Sequence, residues 1–462
     1  DGSYVNPYKT MQKGLTKVAA GGSVEAAAGV YHEHDIIWPN RNNITLRGAG
    51  SNETIISAEA LGRVFYVGSA VQLSLEALSI KNGRVPAQNG GGIFLAGGSA
   101  LSLKNVNIMR NFVQASISYS PKGGAIYSPG SAVTAQGCSF LNNFAEGYGG
   151  VAYGGTWESN SCSFVQNRAS NTINGPNLIG NGGVFDEVNI TRLTSCNFIS
   201  NDCFAGEYGG VAHNSTPLGT AEVVNCIFIN NVGQKDGGVT YNCDWNVKNC
   251  IFQGNGSFFG GVARSGNWNA YNCNFYGNSG VYGDAFFSVN CDIINSIFWA
   301  NANNAPFSLS SGSIRNSDVQ TWALGGLGNG GGNISADPLF ISTQEGTPNY
   351  FRLSGGSPCI DTGTFETGMA TKDAAGNTRP HGFRMDMGAY EFMGPSISVE
   401  SPNGGETLYV GSYWPVKWLL SGEVAGNVKI RLSTNEGSSW DTLIASLTPA
   451  QGLNTYIWTI PD

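Results

Sequence analysis

The feature that most constrains this chain is a phrase, Cys-x-Phe-x-x-Asn, that recurs in phase with a second phrase built on Gly-Gly. The first stands at Cys138/Phe140/Asn143, Cys162/Phe164/Asn167, Cys196/Phe198/Asn201, Cys226/Phe228/Asn231, Cys250/Phe252/Asn255 and Cys273/Phe275/Asn278. Ser296/Phe298/Asn301 follows with Ser in place of Cys, and Val106/Ile108/Asn111 precedes as a divergent copy. The second phrase starts at Gly91, Gly123, Gly149, Gly182, Gly209, Gly237 and Gly260, with Gly283-Asp284 as a degenerate copy. Steps between the Cys positions are 24, 34, 30, 24 and 23 residues. Turns that grow while strands keep register explain such steps; helical repeats would need long amphipathic segments, and none lies between residues 90 and 300.

Alternation places Cys and Phe on the same face of a short strand, pointing inward. Stacked coils then build internal columns of Cys and Phe spaced about 4.8 Å apart. Each Asn closes its strand at a turn, where its amide can bond backbone and the neighbouring Asn in a ladder. Gly-Gly permits positive φ at another corner, and Val151, Val184, Val211, Val239 and Val262 fill the narrow interior after it. The expected fold is therefore all-β, a parallel β-helix (solenoid).

Composition agrees and removes several function classes. Glycine is frequent (66) and charged residues make up 12%, about half the usual share of roughly 25%. Aromatics at 11% argue against disorder. A net charge of −8 with no basic run excludes nucleic acid as a partner. No apolar stretch approaches the length of about 18 residues that a membrane-spanning helix needs. The sequence opens at Asp1 without an initiator Met, which fits a processed, exported chain.

The two phrases resemble those of the right-handed parallel β-helix superfamily, in particular bacterial surface proteins with polymorphic-outer-membrane-type repeats. The resemblance covers residues 1–394. Asp1-Gly2-Ser3 and Asn6-Pro7-Tyr8 look like the family's entry, and Tyr8, Met11, Leu15 and Val18 fall at the spacing of a short capping helix. Ala336-Asp337-Pro338-Leu339-Phe340, Gly356 to Gly363 and Asp386 to Phe392 resemble its closing segment, where Asp361, Asp373 and Asp386 are expected to cap turns. From residue 395 to 462 the pattern changes to alternating runs, Tyr413 to Trp418, Val428 to Leu432 and Tyr456 to Ile460, anchored by Trp418, Trp440 and Trp458. This second domain is similar to the Ig-like module of Ser/Thr-rich cell-wall-associated proteins. A β-sandwich lacking its last strand is expected, with an open edge able to accept a neighbour's strand.

Six of the ten cysteines share one internal column, where in-register spacing exceeds the 3.5–4.5 Å that a disulfide needs, so they are expected free. Cys203, Cys243, Cys291 and Cys359 lie outside that register and stay open to pairing. The best candidate for a ligand site is the fifth position of the Gly-Gly phrase: Tyr127, Tyr153, Asp186, His213, Tyr241 and Arg264. The column is expected to form either a carbohydrate-binding strip, with aromatic faces on sugar rings, or a satisfied surface ladder. No catalytic residue is assigned, and no cofactor or metal is expected; His32-Glu33-His34-Asp35 reads as a solvated turn rather than an ion site. The expected function is a non-enzymatic secreted or cell-surface protein, structural or adhesive. Its partners would be polysaccharide, cell-surface components or other copies of itself in head-to-tail fibres. The alternative is a polysaccharide-active enzyme, lyase or hydrolase, or a carbohydrate-binding protein.

Overall fold

The computed structural model describes residues 2–170, 180–204, 208–215, 219–322, 324–394, 396–421, 427–435, 437–440, 442–448, 450 and 452–461. It divides into two compact units, residues 1–335 and 336–462. The first is a parallel β-solenoid of about 11 turns. Its strands form four parallel sheets, here faces I to IV, visited in that order by each full coil. Among the described residues, face I has 13 strands (Ser23–Glu25 to Gly328–Asn329), face II has 12 (Gly29–His32 to Asp318–Val319), face III has 8 (Arg84–Pro86 to Ser279–Tyr282) and face IV has 11 (Ile36–Ile37 to Phe307–Ser308).

The Cys-x-Phe phrase forms face II, as its alternation requires. Ser139↔Ser163, Phe140↔Phe164 and Leu141↔Val165 pair in register, and the same pairing repeats down to Phe275↔Phe298. The Phe rings stack inside with centroids 4.8, 4.6, 4.8, 4.8, 4.8 and 4.3 Å apart from Phe140 through Phe298. Beside them Trp157, Trp245 and Trp268 are fully buried. The Asn ladder is continuous. Asn143, Asn167, Asn201, Asn231 and Asn255 each donate Nδ2 to the Oδ1 of the next Asn at 3.0 Å. Each also donates to a carbonyl of the preceding coil, as Asn231 does to Phe198 at 2.8 Å. A buried amide that meets all its donors and acceptors in this way removes the desolvation penalty of its corner.

All ten cysteines are free and buried, the four outside the column included. In the column, the backbone N–H of Cys196, Cys226 and Cys250 meets the Sγ of the next Cys at 3.4 Å. Ser296 continues the ladder, accepting from Cys273 N at 3.2 Å, which explains why Ser replaces Cys there without a break.

The Gly-Gly corner divides its two tasks between the two residues. Gly149 has φ +67°, while a Cβ on Gly150 would lie 2.2 Å from the carbonyl oxygen of Gly183. In the first copy the register begins at Gly90 (φ +69°), one residue before the Gly91 that the sequence suggests, because Ile93 pairs with Ile126. At the degenerate copy, Asp284 accepts from Asn303 N at 2.9 Å and Ala305 N at 3.0 Å, and Asn303 Nδ2 donates to Gly280 O at 2.8 Å. This bonding stands where face III ends.

The helix Met11–Lys17 buries Met11 and Leu15 against the first coil. Glu33 accepts from Met11 N at 2.6 Å and Gln12 N at 3.1 Å, so one residue of the His-Glu-His-Asp group holds the helix start. The Gln12 side chain accepts from Ile37 N at 2.8 Å and donates to Ile37 O at 3.1 Å, pairing with the edge strand as a neighbouring strand would. Arg41 donates to Val18 O at 2.5 Å at the other end.

In the second unit, residues 336–394 fold around buried carboxylates rather than strands. Arg379 pairs with Glu391 at 2.7 Å, both side chains fully buried. Asp373 accepts from Ala375 N, Asn377 N and Glu391 N (2.9, 2.8 and 3.0 Å), and Asp386 from Asp361 N and Phe392 N (2.7 and 2.5 Å). Antiparallel strands follow: Ser396–Ser401, Tyr413–Ser421 and Gly452–Thr459 in one sheet, Val428–Leu432 and Thr442–Leu447 in another.

Candidate functional site: a double file of side chains on face IV

Face IV strands are short, often two residues, of which the first points inward and the second outward. The outward residue is the fifth position of the Gly-Gly phrase. Tyr127, Tyr153, Asp186, His213, Tyr241 and Arg264 do pair in register, one per coil. The file extends to Tyr66 and Phe94 before them and Phe287 after.

Sequence reasoning missed a second file beside it. The residue before each Gly-Gly (Lys122, Tyr148, Asn181, Tyr208, Asp236, Phe259, Tyr282) accepts, through its carbonyl, the N–H of the Gly one coil earlier at 2.8–3.0 Å. The recurring Gly-Gly carried the signal, since its preceding position is as fixed in register as its fifth.

The two files engage each other. Lys122 Nζ donates to Tyr153 Oη at 2.8 Å and lies 4.1 Å from that ring's centroid, while Tyr153 donates to Glu187. Asp186 binds Nδ1 of His213, and both are buried. Tyr208 stacks on His213 (5.6 Å) and on Tyr241 (4.4 Å). Arg264 pairs with Asp236, whose side chain is fully buried, and covers the Phe259 ring at 4.9 Å. Burial pushes the Asp186 carboxyl up to about 6, with His213 opposing the shift. Burial, then the Glu187 carboxylate, raises the Tyr153 phenol well above its ordinary range.

The rings face one another rather than solvent. Tyr66, Phe94 and Tyr127 stack at 5.1 Å steps with interplanar angles of 3° and 28°, and Tyr127 and Tyr153 follow at 6.0 Å and 9°. A sugar ring that meets this file therefore meets ring edges and hydroxyls, not open faces.

His32 and His34 point to different partners, Glu59 at 3.2 Å and Asp35 at 2.9 Å, and no group of three or more metal-ligating side chains occurs among the described residues. A cavity of about 400 Å³ lies on the outer side of face I, lined among others by Thr45, Ser74, Ser102 and Thr134. No helix among the described residues is long and apolar enough to cross a membrane.

No protein-family model matches the chain, and no curated protein matches its sequence. Among solved structures it is similar to the pectate lyase Pel9A, at 13% identity over 84% of this chain and 92% of that one, with a TM-score of 0.40. It is similar also to a pectin methylesterase from Yersinia enterocolitica (12% identity, 48% and 79% of the two chains, TM-score 0.32) and to the ORF18 protein of Geobacillus virus E2 (15%, 66% and 57%, TM-score 0.27). Fold and face IV geometry together define a parallel β-solenoid with a side-chain ladder along one corner. Likeness at these identities and scores carries no argument about activity.

Proposed function

We propose that this is a non-enzymatic exported protein of the bacterial cell surface or matrix, structural or adhesive in role, with the solenoid as a rigid spacer. The observation that carries this reading is the engagement of the polar face IV residues with one another. Asp186 is hydrogen-bonded to His213, and Tyr153 to Lys122 and Glu187, while Arg264 forms an ion pair with Asp236. Side chains that engage one another across neighbouring coils in this way stabilise coil junctions. The polymorphic-type repeat phrases and the antiparallel strands after residue 395, read as an Ig-like module, fit a surface display role.

The experiment is adhesion of protein-coated beads to polysaccharide-coated and cell-derived surfaces at physiological salt, run beside a reducing-end assay on the same polysaccharides. Adhesion or regular filaments by electron microscopy, without product release, supports the reading. Time-dependent release of reducing ends overturns it. A second reading, a polysaccharide-active enzyme, draws on the Asp186–His213 pair, because a buried carboxylate that orients an imidazole is also how a general base is held. Turnover lost in His213→Gln would establish it.

A further inference from the structure

The strand Gly452–Thr459 lies at the edge of its sheet: Tyr413–Ser421 pairs with one side of it, and no strand among the described residues pairs with the other. Ile460, next in the chain, donates to Ser412 O and accepts from Gly411 N, both at 2.9 Å, so its peptide groups face the paired side. Alternation along an antiparallel strand then turns the N–H and C=O of Leu453, Thr455, Ile457 and Thr459 toward the open side. The side chains of these four residues are exposed.

Elsewhere the molecule guards its edges. Gln12 takes up both peptide groups of Ile37, Pro86 stands in the first strand of face III, and Asp284 with Asn303 closes the last. In the second unit, Ser396–Ser401 carries Glu400 and a register shift, and Val428–Leu432 carries Lys429 and Arg431. Gly452–Thr459 has no charged residue, no proline and no register shift over its 8 residues.

The strand is also complementary to itself. Set antiparallel to a copy with Thr455 opposite Thr455, it brings Leu453 opposite Ile457 on the exposed face. On the other face Gly452 meets Trp458 and Asn454 meets Tyr456. Aliphatic side chains thus face each other, threonine faces threonine, and the one residue without a side chain meets the largest. Leu453, Thr455 and Ile457 are also the residues whose peptide groups face the open side, so donors stand opposite acceptors in this register.

We propose that two copies of this chain join along this edge, antiparallel about a two-fold axis at Thr455, to form a sheet continuous across both. The pairing serves the structural role proposed above, and the two fail separately. Release of reducing ends would sink that role and leave the pairing standing; a chain that never pairs would sink the pairing and leave that role to the adhesion assay.

Sedimentation velocity of the full chain from about 1 to 100 µM tests it, and a contact of this size is expected to turn monomer into dimer within that range. Thr455→Lys sets like charges directly opposite each other across the axis and is expected to leave the chain monomeric, as is Thr455→Glu. An equimolar mixture of the two variants sets opposite charges face to face and is expected to restore a dimer. Ser398→Lys, on the other edge strand of the same sheet, is expected to dimerise as the wild type does. A wild-type chain that stays monomeric throughout, a dimer that persists undiminished in Thr455→Lys, or a mixture that stays monomeric overturns the proposal.

Discussion

Asn231→Ala tests the ladder where its bonding is most complete. The Asn231 Oδ1 accepts from Asn201 N and Asn201 Nδ2, both at 3.0 Å, and its Nδ2 donates to Phe198 O at 2.8 Å and Asn255 Oδ1 at 3.0 Å. Alanine leaves two donors of Asn201 and the Phe198 carbonyl short of these partners in a corner where Asn201 and Asn231 are fully buried. At about 1–3 kcal/mol for each buried group left unsatisfied, the loss is expected to reach about 3–6 kcal/mol. Asn231→Asp accepts both bonds but donates neither, and places a charge against Asn255 Oδ1, so it is expected to cost at least as much at neutral pH. The exposed Asn160→Ala is the control, expected within about 0.5 kcal/mol of wild type. Guanidinium unfolding followed by circular dichroism measures all three. A loss below about 1 kcal/mol for Asn231→Ala, level with the control, would refute the ladder as a source of stability.

Three further outcomes are expected. Native protein should react with a thiol reagent far more slowly than denatured protein, which should titrate ten thiols without reductant, because all ten cysteines are free and buried and burial pushes Cys243 and Cys291 up to about 12; fewer than ten would reveal a disulfide. Gln12→Ala should uncover the edge at Ile37, where Gln12 supplies both bonds, and should raise the fraction of oligomer in size-exclusion chromatography; an unchanged monomer profile would show that the edge is protected by other means. Acidification from pH 8 to 5 should raise the thermal stability of the second unit, since burial and the neighbouring Glu391 carboxylate lift Asp386 from 3.8 to about 8 in the folded state and stability is lost as pH rises through that interval; a midpoint that falls on acidification contradicts it.

The solenoid was legible because its interior repeats with strand period. Cys-x-Phe gave face II and its columns, and the Asn position gave the ladder. Face III was not legible, because its outward residues, Phe112, Phe144, Arg168, Asp202 and Val232, share no chemistry that recurs. The many remaining Asn residues have their own reason. Asn225, Asn249, Asn272 and Asn295 each stand just before a Cys or Ser of the column with φ of 52–54°, the left-handed region that Asn enters at less cost than most residues. That corner carries no Gly-Gly flag, so only the backbone reveals it.

The candidate site was half visible. The fifth position of Gly-Gly picked out Tyr127 through Arg264 and their register, whereas the partners that decide their role lie elsewhere in sequence. Lys122, Tyr208 and Asp236 come from the position before the glycines, and Glu187 follows Asp186. Ring orientation was also beyond the sequence. Aromatic residues in register suggest a platform for sugars, yet equal spacing along a solenoid brings their faces onto one another.

The most direct test of the central claim, that these face IV residues serve the fold, is the stability of Arg264→Ala and His213→Ala beside their binding and turnover of polysaccharide. Each substitution strips a buried carboxylate, Asp236 or Asp186, of its partner. Both are expected to lower the guanidinium midpoint by the equivalent of about 3–5 kcal/mol. Unchanged or increased stability, together with loss of polysaccharide binding or turnover, would contradict the claim and mark the double file as a site kept for a ligand.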